Sequence, residues 1–154
     1  MNGKYVIARD HGGLALKEAF SGYLRDLNVV ICDLATMNDD SVDYPDYGIK
    51  VARAVSIGEA DRGILICGTG IGMSIVANKF PGIRAALITD EFTAQMSKEH
   101  NDANVIVMGG RVLSSAQAQK MVQIWLEATY EGGRHQRRLD KIANLEDDIR
   151  SGSL

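Results

Sequence analysis

Short apolar runs alternate with longer amphipathic stretches along almost the whole chain. The runs Tyr5 to Ala8, Val29 to Asp33, Gly63 to Cys67, Arg84 to Ile88 and Val105 to Met108 are too short for buried helices and read as strands. Between them the apolar positions recur every three or four residues. Leu16, Phe20, Tyr23, Leu24 and Leu27 make one stripe, with Lys17, Glu18, Arg25 and Asp26 off it, which predicts a helix laying one face on a sheet. Further helices are predicted near Tyr47 to Ile57, Ile71 to Lys79, Phe92 to Glu99 and Ala116 to Ala128, the last carrying Trp125 in its core face and Ser114-Ser115 as candidate caps. Strand and helix in alternation predict an α/β fold: a Rossmann-like three-layer α/β/α sandwich around a five-stranded parallel sheet. In such sheets ligands bind beyond the carboxyl ends of the strands, so Arg9 to Gly13, Cys67 to Gly72 and Gly109-Gly110-Arg111 are expected to converge.

A last pattern follows Tyr130-Glu131-Gly132-Gly133-Arg134-His135-Gln136-Arg137-Arg138, with Leu139, Ile142, Leu145 and Ile149 on one side. A helix added outside a complete sheet must bury such a stripe, and a second copy of the chain is the simplest partner. The expectation is one domain over residues 1–154, with 130–154 a C-terminal extension packing on a partner subunit.

Composition narrows the function. The chain has 154 residues, 45% of them hydrophobic, enough for one core. A formal net charge of −3 argues against a nucleic-acid partner, whose phosphates require a basic face. The two cysteines make neither a disulfide framework nor a zinc spacing, which points to a reducing compartment, the cytoplasm. No stretch approaches the roughly 20 apolar residues of a membrane span, and the amino terminus enters a strand directly, so neither membrane nor targeting segment is expected.

The candidate chemistry centres on Gly63 to Ser74, Gly-Ile-Leu-Ile-Cys-Gly-Thr-Gly-Ile-Gly-Met-Ser. Cys67 stands where the apolar run breaks into alternating glycines, at a strand's carboxyl end beneath free backbone amides. Those donors stabilise negative charge on a thiolate or an enolate oxygen. Cysteine is also one of the commonest buried small hydrophobes, and Cys32, inside Val29-Val30-Ile31-Cys32, is read that way.

Asp10-His11-Gly12-Gly13 places a carboxylate and an imidazole at the same sheet edge; Asp10 can cap the first helix, accept a substrate hydroxyl, or both, and His11 can contact substrate or close the turn. His100, at a helix carboxyl end that favours a cation, suits proton donation to a sugar ring oxygen, or is a plain surface terminus. Arg134 and Arg138, four apart, share one helix face where two guanidinium forks can hold a phosphate or carboxylate, with Arg111 as a third contact; the bland alternative is a solvated charge run. The three histidines show no metal-ligand spacing of the His-Glu-x-x-His kind, so no metal is expected. The glycine run also resembles a dinucleotide fingerprint, with Asp90 where a ribose-binding acid would stand, but its spacing is G-x-G-x-G, it follows the third strand, and no length remains for a substrate domain.

Asp10-His11, Asp43-Tyr44-Pro45, the Ile-Cys-Gly-Thr-Gly-Ile-Gly-Met-Ser run, Asn78-Lys79, His100-Asn101-Asp102, Gly110-Arg111 and Gly132-Gly133-Arg134-His135 together resemble ribose-5-phosphate isomerase type B. The resemblance spans residues 4 to about 146. It implies a cofactor-free aldose-ketose isomerase, a homodimer or dimer of dimers in which each site is completed by a neighbouring chain. Carried onto this sequence, it makes Cys67 the base acting between C1 and C2, and Thr69 with the amides of Gly68, Gly70 and Gly72 the holders of the enediolate. His100 opens the furanose, Asp10 orients the sugar, and Asn101 binds near the reacting end. Asp43 and Tyr44 join the substrate-binding set, and Arg111, Arg134 and Arg138, assisted by His11, hold the phosphate. The same superfamily includes isomerases of galactose 6-phosphate, allose 6-phosphate and tetrose phosphates. Arg9 stands where the family commonly has a small residue, so a shift in sugar length, or a contact with the neighbouring chain, is one alternative; a non-catalytic sugar-phosphate or nucleotide-binding module is another.

Overall fold

The structure is a computed structural model describing residues 3–10, 13–26, 30–34 and 42–154, with only the backbone of Phe20. His11, Leu27 and Val29 lie outside the described residues. Strands β1 (Lys4–Arg9), β2 (Val30–Asp33), β3 (Arg62–Cys67), β4 (Ala85–Leu87) and β5 (Val105–Gly109) pair in parallel in the order β2-β1-β3-β5-β4. Helices α1 (Leu14–Asp26), α2 (Tyr44–Ser56), α3 (Ile71–Ala77), α4 (Glu91–Glu99), α5 (Ser115–Glu127) and α6 (Arg134–Ser151) alternate with them and then close the chain.

Side chains along a strand point to opposite faces, so β3 feeds two cores. Ile64 and Ile66 join Leu16, Leu24, Ala94, Met121 and Trp125 beneath α1, α4 and α5. Leu65 and Cys67 join Val51, Ala52, Met73 and Ala77 beneath α2 and α3. The three-layer α/β/α sandwich expected from the alternation is what the chain forms. Trp125 is fully buried, as its place on the helix predicts, and its indole N–H donates to the Ala103 carbonyl at 3.2 Å. Cys32 lies half-buried against the second core.

The differences from the sequence reading are local. Helix α2 starts at Tyr44, three residues before Tyr47, because Pro45 in the first turn carries a backbone angle already suited to a helix. Ser114 caps α5 in a reciprocal box with Gln117. Asn78 ties α3 to the edge strand: its side chain accepts from the Ala85 amide and donates to the Ala85 carbonyl, both at 2.9 Å.

Strand β1 is paired on one side with β2 and on the other with β3, so the chain reverses its direction of winding between β1 and β3. The loops leaving these two strands therefore part, and a crevice opens above their carboxyl ends. No helix among the described residues is long and apolar enough to cross a membrane.

Candidate active site

An open cavity of about 500 Å³ occupies that crevice, walled by Asp10, Tyr44, Cys67, Gly68, Thr69, Gly72 and Arg111, with Ile71 and Ile75 at its rim. Cys67 is the last residue of β3 and only 4% exposed, so its sulfur forms the floor rather than the rim. Asp10 follows β1 and is buried; its amide donates to the Ile66 carbonyl at 3.0 Å, which holds it one strand from the thiol.

The glycine loop is shaped around the sulfur. The Gly70 amide donates to Cys67 Sγ at 3.2 Å. That aim requires a left-handed backbone, φ 80°, and a Cβ on Gly70 would sit 2.4 Å from Leu87 Cδ1, so glycine alone suits the position. Gly72 answers a different demand: a Cβ there would lie 2.4 to 2.7 Å from the tip of the Tyr44 ring, which closes over the loop. The Gly110 and Arg111 amides donate to the carbonyls of Cys67 and Gly68 at 2.7 and 2.9 Å, binding the loop after β5 to the loop after β3. This brings the Arg111 guanidinium beside Gly68. Thiol, carboxylate and guanidinium thus line one open cavity, with the Gly70 amide aimed at the sulfur. A donor aimed at sulfur stabilises negative charge on it, and a guanidinium takes an anion at the far end of a bound molecule.

A second group of predicted residues lies elsewhere. His100 and Asn101 follow α4 and precede β5, at the amino edge of the sheet. Cys67 is level with Gly109 and Gly63 with Val105, so the two edges stand four strand residues apart, about 13 Å. Arg84 pins the turn by donating to the carbonyls of Asn101 and Asp102 at 3.0 and 2.9 Å, and Lys98 and Arg84 both pair with the Asp102 carboxylate. The segment before α6 docks here too, through the Glu131 amide to the Glu99 carbonyl at 3.0 Å. As a result the His100 and His135 rings stack 4.1 Å apart and 9° from parallel. Glu131 Oε2 lies 3.3 Å from His135 Nε2 and 4.0 Å from His100 Nε2, while Arg134 Nε donates to His135 Nε2 at 3.2 Å. Burial lowers the His135 pKa below its ordinary value; His100 and Arg134 add to this and Glu131 opposes it.

The structure therefore gathers Asp10, Tyr44, Cys67, Gly68, Thr69, Gly70, Gly72 and Arg111 at one edge, and His100, Asn101 and Arg134 at the other, with Arg138 one helical turn beyond Arg134. Asp43 is exposed at the start of α2, makes no side-chain cap hydrogen bond and does not line the cavity. Arg9 is buried, with Nη1 donating to the Asp10 carbonyl at 3.2 Å, and does not line it either. Sequence reasoning missed Arg84, Glu131 and His135. For the last two the signal was the four-residue spacing of a carboxylate and an imidazole.

The family model for Ribose/Galactose Isomerase matches residues 5–142. The chain belongs to the ribose/galactose isomerase family. It is 46% identical over 143 residues to ribose-5-phosphate isomerase B of Escherichia coli (strain K12), which covers 93% of this chain and 96% of that protein. Among solved structures it resembles ribose-5-phosphate isomerase B of Clostridium thermocellum, with TM-score 0.91, 49% identity, and 95% of this chain and 99% of that one covered. It also resembles the Mycoplasma genitalium ribose-5-phosphate isomerase B solved with bound ribulose-5-phosphate, at TM-score 0.91, 41% identity, and 94% and 97% coverage. Membership of the ribose/galactose isomerase family makes the chain an aldose-ketose isomerase.

Proposed function

We propose that this chain interconverts D-ribose 5-phosphate and D-ribulose 5-phosphate by proton transfer through an enediolate. The observation that carries the reading is Cys67 on the floor of an open cavity, with the Gly70 N–H aimed at its sulfur and Arg111 beside the same loop. In the aldose-to-ketose direction the thiolate takes the proton from C2 and electrons move onto the C1 carbonyl oxygen; the C2 hydroxyl proton then passes to O1, and the enediolate collapses to a carbonyl at C2 as the thiol returns its proton to C1. The negative charge moves between O1 and O2, and this reading assigns its stabilisation to Thr69 and the loop amides of Gly68, Gly70 and Gly72; each such donor is worth on the order of 10² to 10³ in rate. Asp10 orients the sugar hydroxyls. Arg111 holds the phosphate, which fixes the far end of the chain and lets binding energy position C1 and C2.

Ring opening and the remaining phosphate contacts come from a second copy. In this reading His100, Asn101, Arg134 and Arg138, which stand at the sheet edge opposite the cavity of their own chain, serve the cavity of the second copy. Ile71 and Ile75 at the cavity rim, and Ile142, Leu145 and Ile149 on α6, are left exposed, an apolar surface suited to a homodimer or a dimer of dimers. With this reading go one isomerase unit over residues 1–154, residues 130–154 as its extension, and a cytoplasmic setting in which Cys32 and Cys67 stay free thiols. Arg9 is buried and does not line the cavity, which supports the five-carbon sugar over one of another length.

Cys67→Ala tests the assignment. Exchange of the C2 proton of ribose 5-phosphate with solvent should cease while affinity for a non-reacting sugar phosphate stays within a few-fold. Measurable exchange by the alanine variant would refute the role of the thiol.

A further inference from the structure

We infer that Arg84 is a positioning residue of the isomerase, setting the direction in which the turn after α4 presents His100 and Asn101 to the cavity they serve. The inference rests on the proposed roles of those two residues and adds the group that aims them. Behind it stands a backbone outlier. Among the described residues Asp102 is the one non-glycine residue with a left-handed backbone, φ 41°. Such a conformation costs free energy in a residue with a Cβ and persists where the surroundings impose it, which is why it collects at functional sites. Here it lets the chain leave α4 and enter β5 within a few residues: the Asp102 and Ala103 amides turn back to donate to the carbonyls of Lys98 and Ser97 at 3.0 and 2.9 Å.

The Arg84 guanidinium is the group that imposes it. Its Nε donates to the Asn101 and Asp102 carbonyls at 3.0 and 3.1 Å, and its Nη2 to the Asp102 carbonyl and carboxylate at 2.9 and 3.2 Å. One planar fork thus spans two successive peptide groups and the side chain of the strained residue. The fork has a fixed base. Arg84 immediately precedes β4, its amide donates to Asn104 Oδ1 at 2.8 Å, and the Asn104 side-chain amide donates in turn to the Gly82 carbonyl at 2.8 Å. Packing constrains the turn less. The His100 ring stacks on His135, but Asn101 is exposed and borders, with Leu139 and Ile142 of α6, an open cavity of about 290 Å³. Lys98 reaches the same Asp102 carboxylate, yet a lone ammonium is a point charge that fixes no plane. The Arg84 and Asp102 side chains are 31% and 32% exposed, and ion pairs so wet add little to stability, so the main effect of the fork falls on geometry.

Ketose formation from ribose 5-phosphate by the full chain, carried through a double-mutant cycle, tests this. Arg84→Ala alone should lower kcat/KM on the order of 10²-fold, the scale of a reacting group misplaced by about 1 Å. In a His100→Ala background the same change should cost only a few-fold, because the group it aims is gone. Arg84→Lys keeps the charge but not the fork, so it should hold the wild-type melting midpoint to within a few degrees and still lose most of what alanine loses. Should the alanine variant not fold, Arg84→Lys carries the same cycle. Equal losses in the two backgrounds, or wild-type turnover in Arg84→Lys, would overturn the inference while the role of His100 stands. Full turnover by His100→Ala would instead refute the ring-opening reading, and the inference with it.

Discussion

If the cavity of one chain is completed by His100 of another, two inactive variants should restore each other. Cys67→Ala removes the proposed base from the crevice at the carboxyl edge; His100→Ala removes the proposed proton donor at the amino edge, about 13 Å away along the strands. In a symmetric dimer built from one copy of each, one site carries both lesions and the other carries neither. Random pairing of equal amounts makes half the dimers mixed, and half the sites in those are intact, so activity should recover to about a quarter of wild type per chain. The background is far lower. Loss of a general acid costs on the order of 10² to 10⁴ in rate, and loss of the base leaves still less. The assay is ketose formation from ribose 5-phosphate after co-expression, or after joint unfolding and refolding, so that mixed dimers can form. Activity no greater than the sum of the two separate variants would show that thiol and imidazole serve within one chain, and the shared-site reasoning would fail.

The two loop glycines should separate stability from catalysis. Gly70→Ala forces a side chain into a left-handed conformation costing about 1–2 kcal/mol and against Leu87, so both the unfolding midpoint and kcat should fall as its amide leaves the sulfur. Gly72→Ala meets only the tip of an exposed Tyr44 ring that can swing aside, so KM should rise with little change in Tm; a large loss of Tm there would mean that α3 itself had shifted. Trp125→Ala empties a fully buried indole site and strands the Ala103 carbonyl, so urea denaturation should show a loss of about 3–5 kcal/mol; a loss under about 1 kcal/mol would show that the pocket collapses around the gap.

Much of this protein is written locally. Short continuous apolar runs alternate with stretches of three- to four-residue period, so the three layers follow from apolar spacing, and Ser114 and Pro45 mark helix starts by chemistry confined to one turn. The crevice is legible for the same reason: Asp10, the Cys67 loop and Arg111 each follow a strand directly, and parallel strands bring all their carboxyl ends to one edge. What spacing could not reveal is that His100, Asn101 and Arg134 stand at the other edge. That depends on chain direction, since a helix returning from a parallel strand delivers its carboxyl end to the opposite side of the sheet. Asn78, one of the motif residues, and Arg84, at the start of a predicted strand, show what they hold only once tertiary packing brings them the edge strand and the His100 turn. The meeting of His100 with Glu131 and His135 arises only because α5 carries the chain back along the sheet to where α4 ended. Short-range periodicity encodes the elements and the loop that cradles the thiol; contacts between residues distant along the chain are set by how the finished layers stack.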